Sequence, residues 1–187
     1  MRLTRRQRWL VVVLIAVALA PYCVVFLRPT APKKVFASQC MGRLRTLGRL
    51  AILYADDHQQ SFPVAEGAHP RAHESFQVLI DALPAGEPFD TITLVCPGST
   101  EVQAVPGSDG RVHLTEMNVS YAWRAKPLKA TGSHGSKIVL ACEKTLEHRH
   151  AYGVNVLYID GAVKFFLPAE LGEGGLDGFI ARNELSK

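Results

Sequence analysis

The chain has 187 residues, which is enough for one domain of ordinary size with an N-terminal segment but hardly for two. Hydrophobic residues make up 48% of it, and this share excludes a chain that is disordered throughout. The net charge of +4 is modest and much of it lies near the N-terminus, so it gives no indication of nucleic acid binding. Four cysteines are too few for a small disulfide-rich scaffold.

An uncharged apolar run lies close to the N-terminus. Residues 9–27 read WLVVVLIAVALAPYCVVFL, and in a helix a run of this length extends about 28 Å, close to the roughly 30 Å of a hydrocarbon core. Four arginines precede the run and favour a cytoplasmic N-terminus. Residues 1–34 are therefore predicted to be a basic tail, a transmembrane anchor and a proline-rich linker. A cleavable signal peptide is the alternative, which Pro21 disfavours because it would follow the cut.

A second helix is predicted directly after the linker. Between residues 35 and 58, apolar side chains recur at intervals of three and four, which places them on one face of a helix. Prolines at positions 29 and 32 are expected to separate this helix from the apolar run. The helix opens a predicted domain of residues 35–187. Its apolar face consists of Phe36, Cys40, Leu44, Leu47, Ala51 and Tyr54.

The rest of the chain has mainly strand signals. After a loop-rich stretch, a short helix is predicted around residues 74–83 and a second one at residues 176–185. Between them, runs of β-branched and apolar residues end at glycine, proline or aspartate, which is typical of strands. The predicted strands are residues 91–96 (TITLVC), a strand within 112–124, and residues 137–142 (KIVLAC), 153–159 and 162–167.

The last two strands are predicted to form a hairpin. Asp160-Gly161 lies between them, and a two-residue Asp-Gly turn of type I′ needs positive φ at both positions. Alternation places Val154, Val156 and Tyr158 on one face and Asn155, Leu157 and Ile159 on the other. Because both faces carry apolar residues, the hairpin is expected to be largely buried, with the helix of residues 35–58 on one side.

Several short motifs occur together in a definite order. Residues 150–161 (HAYGVNVLYIDG) contain a histidine, nine residues and Asp-Gly. Ahead of them come residues 40–48 (CMGRLRTLG), residues 54–63 (YADDHQQSFP), Cys96-Pro97, and the segments 120–122 and 138–141. This ordered set resembles the bacterial prepilin-type processing-associated H-X9-DG family of pilin-like proteins.

The resemblance implies an α+β fold, a pilin-like head in which a helix packs on an antiparallel sheet. It also implies a membrane-anchored, non-catalytic structural or interaction protein of the cell envelope, similar to pseudopilins of type II secretion. The expected location is the bacterial inner membrane, single-pass, with the C-terminal domain extracytoplasmic. Expected partners are the membrane and other envelope or pilin-like proteins, with no cofactor and no nucleic acid. The chain departs from the family in lacking a glycine before Trp9 and a glutamate within residues 9–27, which prepilin processing and pilus assembly use.

The motif residues are His150, Asp160 and Gly161. Asp160 and Gly161 are expected to form the turn, while His150 either packs at the start of the strand or belongs to a ligand site. The alternative function is a small extracytoplasmic metal- or ligand-binding module or enzyme that uses the Cys142-His150-Asp160 region, with Cys142, His148 and His150 as candidate metal ligands. Against this, Cys142 lies in an apolar strand, where an inert core thiol is the default.

Cys40 and Cys96 are candidates for a disulfide. In an oxidising compartment such a pair can link a helix to a sheet. The other interpretation is that both are ordinary buried thiols of the core.

Overall fold

The computed structural model describes residues 31–84, 89–130, 137–146 and 153–187, with the side chains of residues 31–34 left aside. Backbone contacts divide the chain into two units, Met1–Pro32 and Lys33–Lys187. Among the described residues, the helices and strands lie in the second unit, apart from the first two residues of the helix Ala31–Asp57.

The second unit is α+β. Its five strands form one antiparallel sheet in the order β4-β3-β2-β1-β5. The strands are β1 (Tyr121–Arg124), β2 (Val139–Glu143), β3 (Val154–Tyr158), β4 (Val163–Phe166) and β5 (Leu185–Ser186). The helices are α1 (Ala31–Asp57), α2 (Ala72–Asp81) and α3 (Gly175–Arg182), with short 3₁₀ helices at Thr91–Leu94, Glu116–Asn118 and Pro168–Glu170.

The fold class predicted from the sequence requires a correction. Within the described ranges, every helix is too short or too polar to cross a membrane. The predicted architecture began with a transmembrane helix, whereas the structure is an α+β unit with a five-stranded antiparallel sheet and helices. Residues 9–27, on which that prediction was based, lie outside the described residues.

Helix α1 has the apolar face that its sequence predicts. Its fully buried side chains follow each other at intervals of four, three, four and four residues, as a helix lying on a sheet requires. The described part of the helix, Ala31–Asp57, starts four residues before the predicted residue 35 and includes Pro32. The fully buried positions are Cys40, Leu44, Leu47, Ala51 and Ala55.

The sheet is covered on both faces. One face packs against α1 in a core that includes Tyr121, Trp123, Leu140, Ala141 and Leu157. The other face packs against α3 in a second core that includes Ala122, Cys142, Val154, Val156 and Tyr158. The predicted division of the hairpin residues between two faces and the burial of β3 are thus confirmed.

A β-bulge in β2 decides which of its side chains face α1. The register of β2 against β3 shifts between Val139 and Ala141. Leu140 and Ala141 both pack in the α1 core, while Cys142 packs in the opposite core. A bulge adds one residue and so reverses the alternation beyond it. As a result, the side chain of Glu143 points towards α1.

The β3–β4 turn differs from the predicted type. Gly161 has a φ of 80°, as predicted, but Asp160 is not among the described residues with positive φ. Gly161 N donates to Tyr158 O (2.9 Å), and Tyr158 N donates to Ala162 O (2.9 Å), which encloses a three-residue loop. This is the common three-residue hairpin loop with glycine in the left-handed region. The predicted two-residue type I′ turn is therefore wrong, although the hairpin itself is confirmed.

The strand predicted at residues 91–96 is also wrong. Thr91–Leu94 forms a 3₁₀ helix, and the Asp90 side chain accepts a hydrogen bond from Ile92 N (3.1 Å). Aspartate competes well for such local hydrogen bonds and so favours a helix start over extended backbone. The Thr91 hydroxyl donates to Ala104 O (2.6 Å), which further fixes the turn.

Candidate functional site

A polar cluster lies between α1 and one end of the sheet. Cys40 of α1, Cys96 of the loop after the first 3₁₀ helix, and Glu143 at the end of β2 come together there, and we call them the Cys40 cluster. One ligand atom from each residue lies within 4.8 Å of the other two. All three residues are buried, with exposed fractions of 0%, 1% and 0%. The cluster is therefore a concentration of sulfur and carboxylate groups inside the core.

Cys40 is the contribution of α1. Its Sγ contacts Glu143 Oε1 at 2.5 Å and Tyr121 Oη at 3.3 Å. Tyr121 is directly opposite Glu143 in the β1–β2 pair, so the two strands present phenol and carboxylate side by side beneath the helix. Cys40 is a free thiol.

The loop that carries Cys96 is fixed from three directions. Cys96 N donates to the hydroxyl of Ser120 (2.8 Å), which precedes β1. The Ser99 hydroxyl donates to Cys96 O (2.7 Å), closing the loop on itself. The guanidinium of Arg43, on α1, donates to the carbonyl of Val95. These bonds hold the Cys96 thiol against the helix.

Asn155 fixes the orientation of the Glu143 carboxylate. Cys142 pairs with Val156, so Asn155 lies across from Glu143 on the neighbouring strand. The Asn155 backbone N donates to Oε2 (3.0 Å) and its Nδ2 donates to Oε1 (3.0 Å). Nδ2 also donates to Ala37 O on α1 (3.3 Å). The Asn155 Oδ1 atom is buried and has no hydrogen-bond donor within the described part of the chain.

Burial keeps the Cys40 thiol and the neighbouring Tyr121 phenol protonated. It raises the pKa of the Cys40 thiol well above its ordinary value, and the neighbouring Cys96 and Glu143 raise it further. Burial also raises the pKa of Tyr121, and Cys40 adds to that increase. The Cys40 thiol is therefore neutral at physiological pH unless a positive charge is bound beside it, and a neutral thiol is a poor nucleophile.

Of the alternative site, the structure describes Cys142 and Asp160, and it does not bring these two residues together. Cys142 is fully buried on the face away from α1, as expected of a core thiol, and burial raises its pKa. Asp160 is exposed in the turn after β3, four residues beyond Val156, the partner of Cys142. His148 and His150 lie outside the described residues.

The sequence identified two members of the Cys40 cluster and missed the third. Cys40 and Cys96 lie together in the cluster, and the disulfide between them stays a prediction. The third member, Glu143, directly follows the strand predicted at residues 137–142 and is not among the candidate site residues named from the sequence. A carboxylate at the end of a run as apolar as KIVLACE was the one available signal that it could be buried.

No family model, no curated protein and no solved structure matches the chain. The fold and the cluster together define an α+β unit in which one long helix packs on an antiparallel sheet over buried thiols and a carboxylate.

Proposed function

We propose that the chain is a non-catalytic, pilin-like structural or interaction protein on the extracytoplasmic side of the bacterial cell envelope. One observation supports this proposal above others. The described residues that carry the H-X9-DG resemblance are used in packing the helix on the sheet, in fixing a loop, or in forming a turn. Motifs of this kind specify a fold and leave the outer surface for contacts with other molecules.

The helical motif at residues 40–48 contributes its two ends to the interface with the sheet. Cys40 contacts Glu143 and Tyr121, as described above. Gly48 is buried against β3, where a Cβ atom would lie 2.8 Å from Leu157 Cδ1. A glycine at this point lets the helix approach the strand closely. The motif thus supports a helix-on-sheet architecture such as the pilin-like head.

The remaining described motifs also have structural uses. Ser120 and Cys96 fix the loop to the start of β1. At the hairpin, Asp160 Oδ1 accepts a hydrogen bond from Ala162 N (2.9 Å), and Gly161 supplies the positive φ. These residues stabilise local backbone geometry, and the neutral Cys40 thiol is unsuited to attack a substrate. A scaffold or interaction role requires nothing more of them.

Reporter fusions test the compartment. The full chain is fused after Lys187, which is exposed, either to alkaline phosphatase, which is active only after export, or to a fluorescent protein that matures in the cytoplasm. We expect an active phosphatase fusion and a dark fluorescent fusion. A matched control that lacks residues 1–30 should reverse both signals. A bright full-length fluorescent fusion with an inactive phosphatase would refute the envelope assignment.

Photo-cross-linking in living cells tests the interaction role. A photoreactive amino acid replaces Leu53, which is 61% exposed on α1, and in a matched control it replaces the fully buried Leu47. We expect a discrete cross-linked species with an envelope or pilin-like protein from position 53 and from other exposed positions, and none from position 47. If no exposed position gives a cross-link, the proposed interaction role is wrong.

A further inference from the structure

We propose that Cys40, Cys96 and Glu143 bind one thiophilic divalent cation, with zinc as the representative metal. This inference goes beyond the proposed envelope function, which requires no metal. It is based on the chemistry of the donors, on their spacing, and on the way the surrounding residues hold them.

The donor set matches zinc chemistry. Zinc is bound in proteins by cysteine sulfur, histidine nitrogen and carboxylate oxygen, usually with four ligands in a tetrahedron. Two sulfurs and one carboxylate from three separate segments meet inside the core. Tyr121 Oη lies 3.3 Å from Cys40 Sγ and is a further oxygen atom beside these three donors. Soft sulfur donors favour zinc over magnesium or calcium.

The spacing of the donors is compatible with a tetrahedral site after a small movement. With metal–sulfur distances of about 2.3 Å and metal–oxygen distances of about 2.1 Å, two sulfurs lie about 3.8 Å apart and a sulfur and an oxygen about 3.6 Å apart. The ligand atoms of the cluster all lie within 4.8 Å of one another. Cys40 Sγ and Glu143 Oε1, now 2.5 Å apart, would separate by about 1 Å when a cation enters between them. Side-chain torsions can supply a movement of that size.

Asn155 orients the Glu143 carboxylate through hydrogen bonds, as residues next to the ligands of a metal site commonly do. Its backbone and side-chain N–H groups fix the two oxygens of Glu143. Ligating carboxylates are usually oriented by such hydrogen bonds. The Asn155 Oδ1 atom, beyond the reach of any described donor, is a buried electron-rich atom beside the cluster. A nearby cation would reduce the electrostatic cost of burying it.

Binding of the cation must release protons from the two thiols. Each thiol loses one proton as its sulfur bonds to the cation, so two protons leave and the oxidation state of the sulfurs is unchanged. The dication then offsets most of the charge of two thiolates and one carboxylate in a buried place where unpaired charge is costly. Both sulfurs are occupied in this state, so metal binding and a Cys40–Cys96 disulfide exclude each other.

The test measures metal in the full-length protein. The chain is expressed with zinc in the medium and purified without chelators, in detergent that keeps the apolar N-terminal run in solution. We expect one zinc per chain by mass spectrometry of the metal content. After exchange for cobalt(II), we expect the sulfur-to-cobalt charge-transfer absorption that thiolate ligation produces.

Variants assign the ligands. Cys40→Ser, Cys96→Ser and Glu143→Gln should each lose stoichiometric zinc and alter the cobalt spectrum, whereas Cys142→Ser is the matched control and should retain both. Asn155→Ala, at a positioning residue, should weaken zinc binding by about 10- to 100-fold while the charge-transfer band persists. The wild-type measurement stands even where a variant fails to fold. Wild-type protein without stoichiometric zinc, or with Cys40 linked to Cys96 by a disulfide in peptide mapping, would overturn the proposal.

Discussion

Gly48 offers a sharp test of how α1 lies on the sheet. A Cβ atom at this position would lie 2.8 Å from Leu157 Cδ1 and 3.5 Å from Gly161 Cα. Carbon atoms in favourable contact are about 3.5–4.0 Å apart, so the added methyl overlaps Leu157 by about 0.7 Å or more. Leu157 is fully buried and has little room to move. Gly42, on the same helix, is exposed and has no atom within 4 Å of such a Cβ.

These two glycines allow the packing effect to be separated from helix propensity. Alanine is favoured over glycine within a helix by about 1 kcal/mol, and this gain applies to both positions. Overpacking a well-filled core costs about 1–3 kcal/mol, and this applies to position 48 alone. We therefore expect Gly42→Ala to raise the free energy of unfolding by about 1 kcal/mol. Gly48→Ala should leave it unchanged or lower it by up to about 2 kcal/mol.

Urea denaturation of both variants and the wild type measures the difference. At unchanged m-value, the midpoint of Gly48→Ala should lie below that of Gly42→Ala by the equivalent of about 1–3 kcal/mol. The melting temperatures should differ in the same order, by about 2–4 °C per kcal/mol. If Gly48→Ala stabilises the protein as much as Gly42→Ala does, the close approach of α1 to β3 is wrong.

Two further predictions concern the turn and an ion pair. Gly161→Val should lower the free energy of unfolding by at least about 1 kcal/mol, because a φ of 80° strains a β-branched residue; an unchanged urea midpoint would contradict the turn. Burial raises the pKa of Glu101, but the neighbouring hydroxyl of Ser99 and the ammonium group of Lys144, 3.1 Å from Oε1, outweigh burial and lower the pKa overall. Glu101 therefore stabilises the fold above the ordinary glutamate pKa, and this stability is lost as pH falls through the lower folded value. At neutral pH the free energy of unfolding of Glu101→Gln, measured by urea denaturation, should be lower than that of the wild type. The difference should disappear in acid, and a difference that does not change with pH would refute the stabilising role of ionised Glu101.

The structural elements whose apolar residues follow a regular repeat could be predicted from the sequence. The apolar face of α1 follows the helical repeat, and β3 follows strict alternation, so both were found from residue spacing alone. Asp160-Gly161 predicted a hairpin, but the loop length depends on how the strands pair beyond the turn, and that is not a local property. At residues 91–96 the β-branched run predicted a strand, but the Asp90 side chain caps a 3₁₀ helix there instead.

The candidate site was harder to predict because it depends on an irregularity. Under strict alternation Glu143 would share a face with Val139, away from α1. The bulge before Ala141 places it under the helix instead. Bulges have no reliable sequence signature in a short apolar strand. Cys40 and Cys96 could be paired from their positions on a helix and near the sheet, but their carboxylate neighbour could not.

The contact between α1 and the sheet has a consequence for biosynthesis. Cys40 and Glu143 are 103 positions apart in the chain. Contacts between distant residues close large loops and form slowly, so the ribosome completes α1 long before the surface that buries its apolar face exists. During that interval the exposed face is open to association with other chains. The yield of folded protein in cells should therefore depend on whatever shields this helix while translation continues.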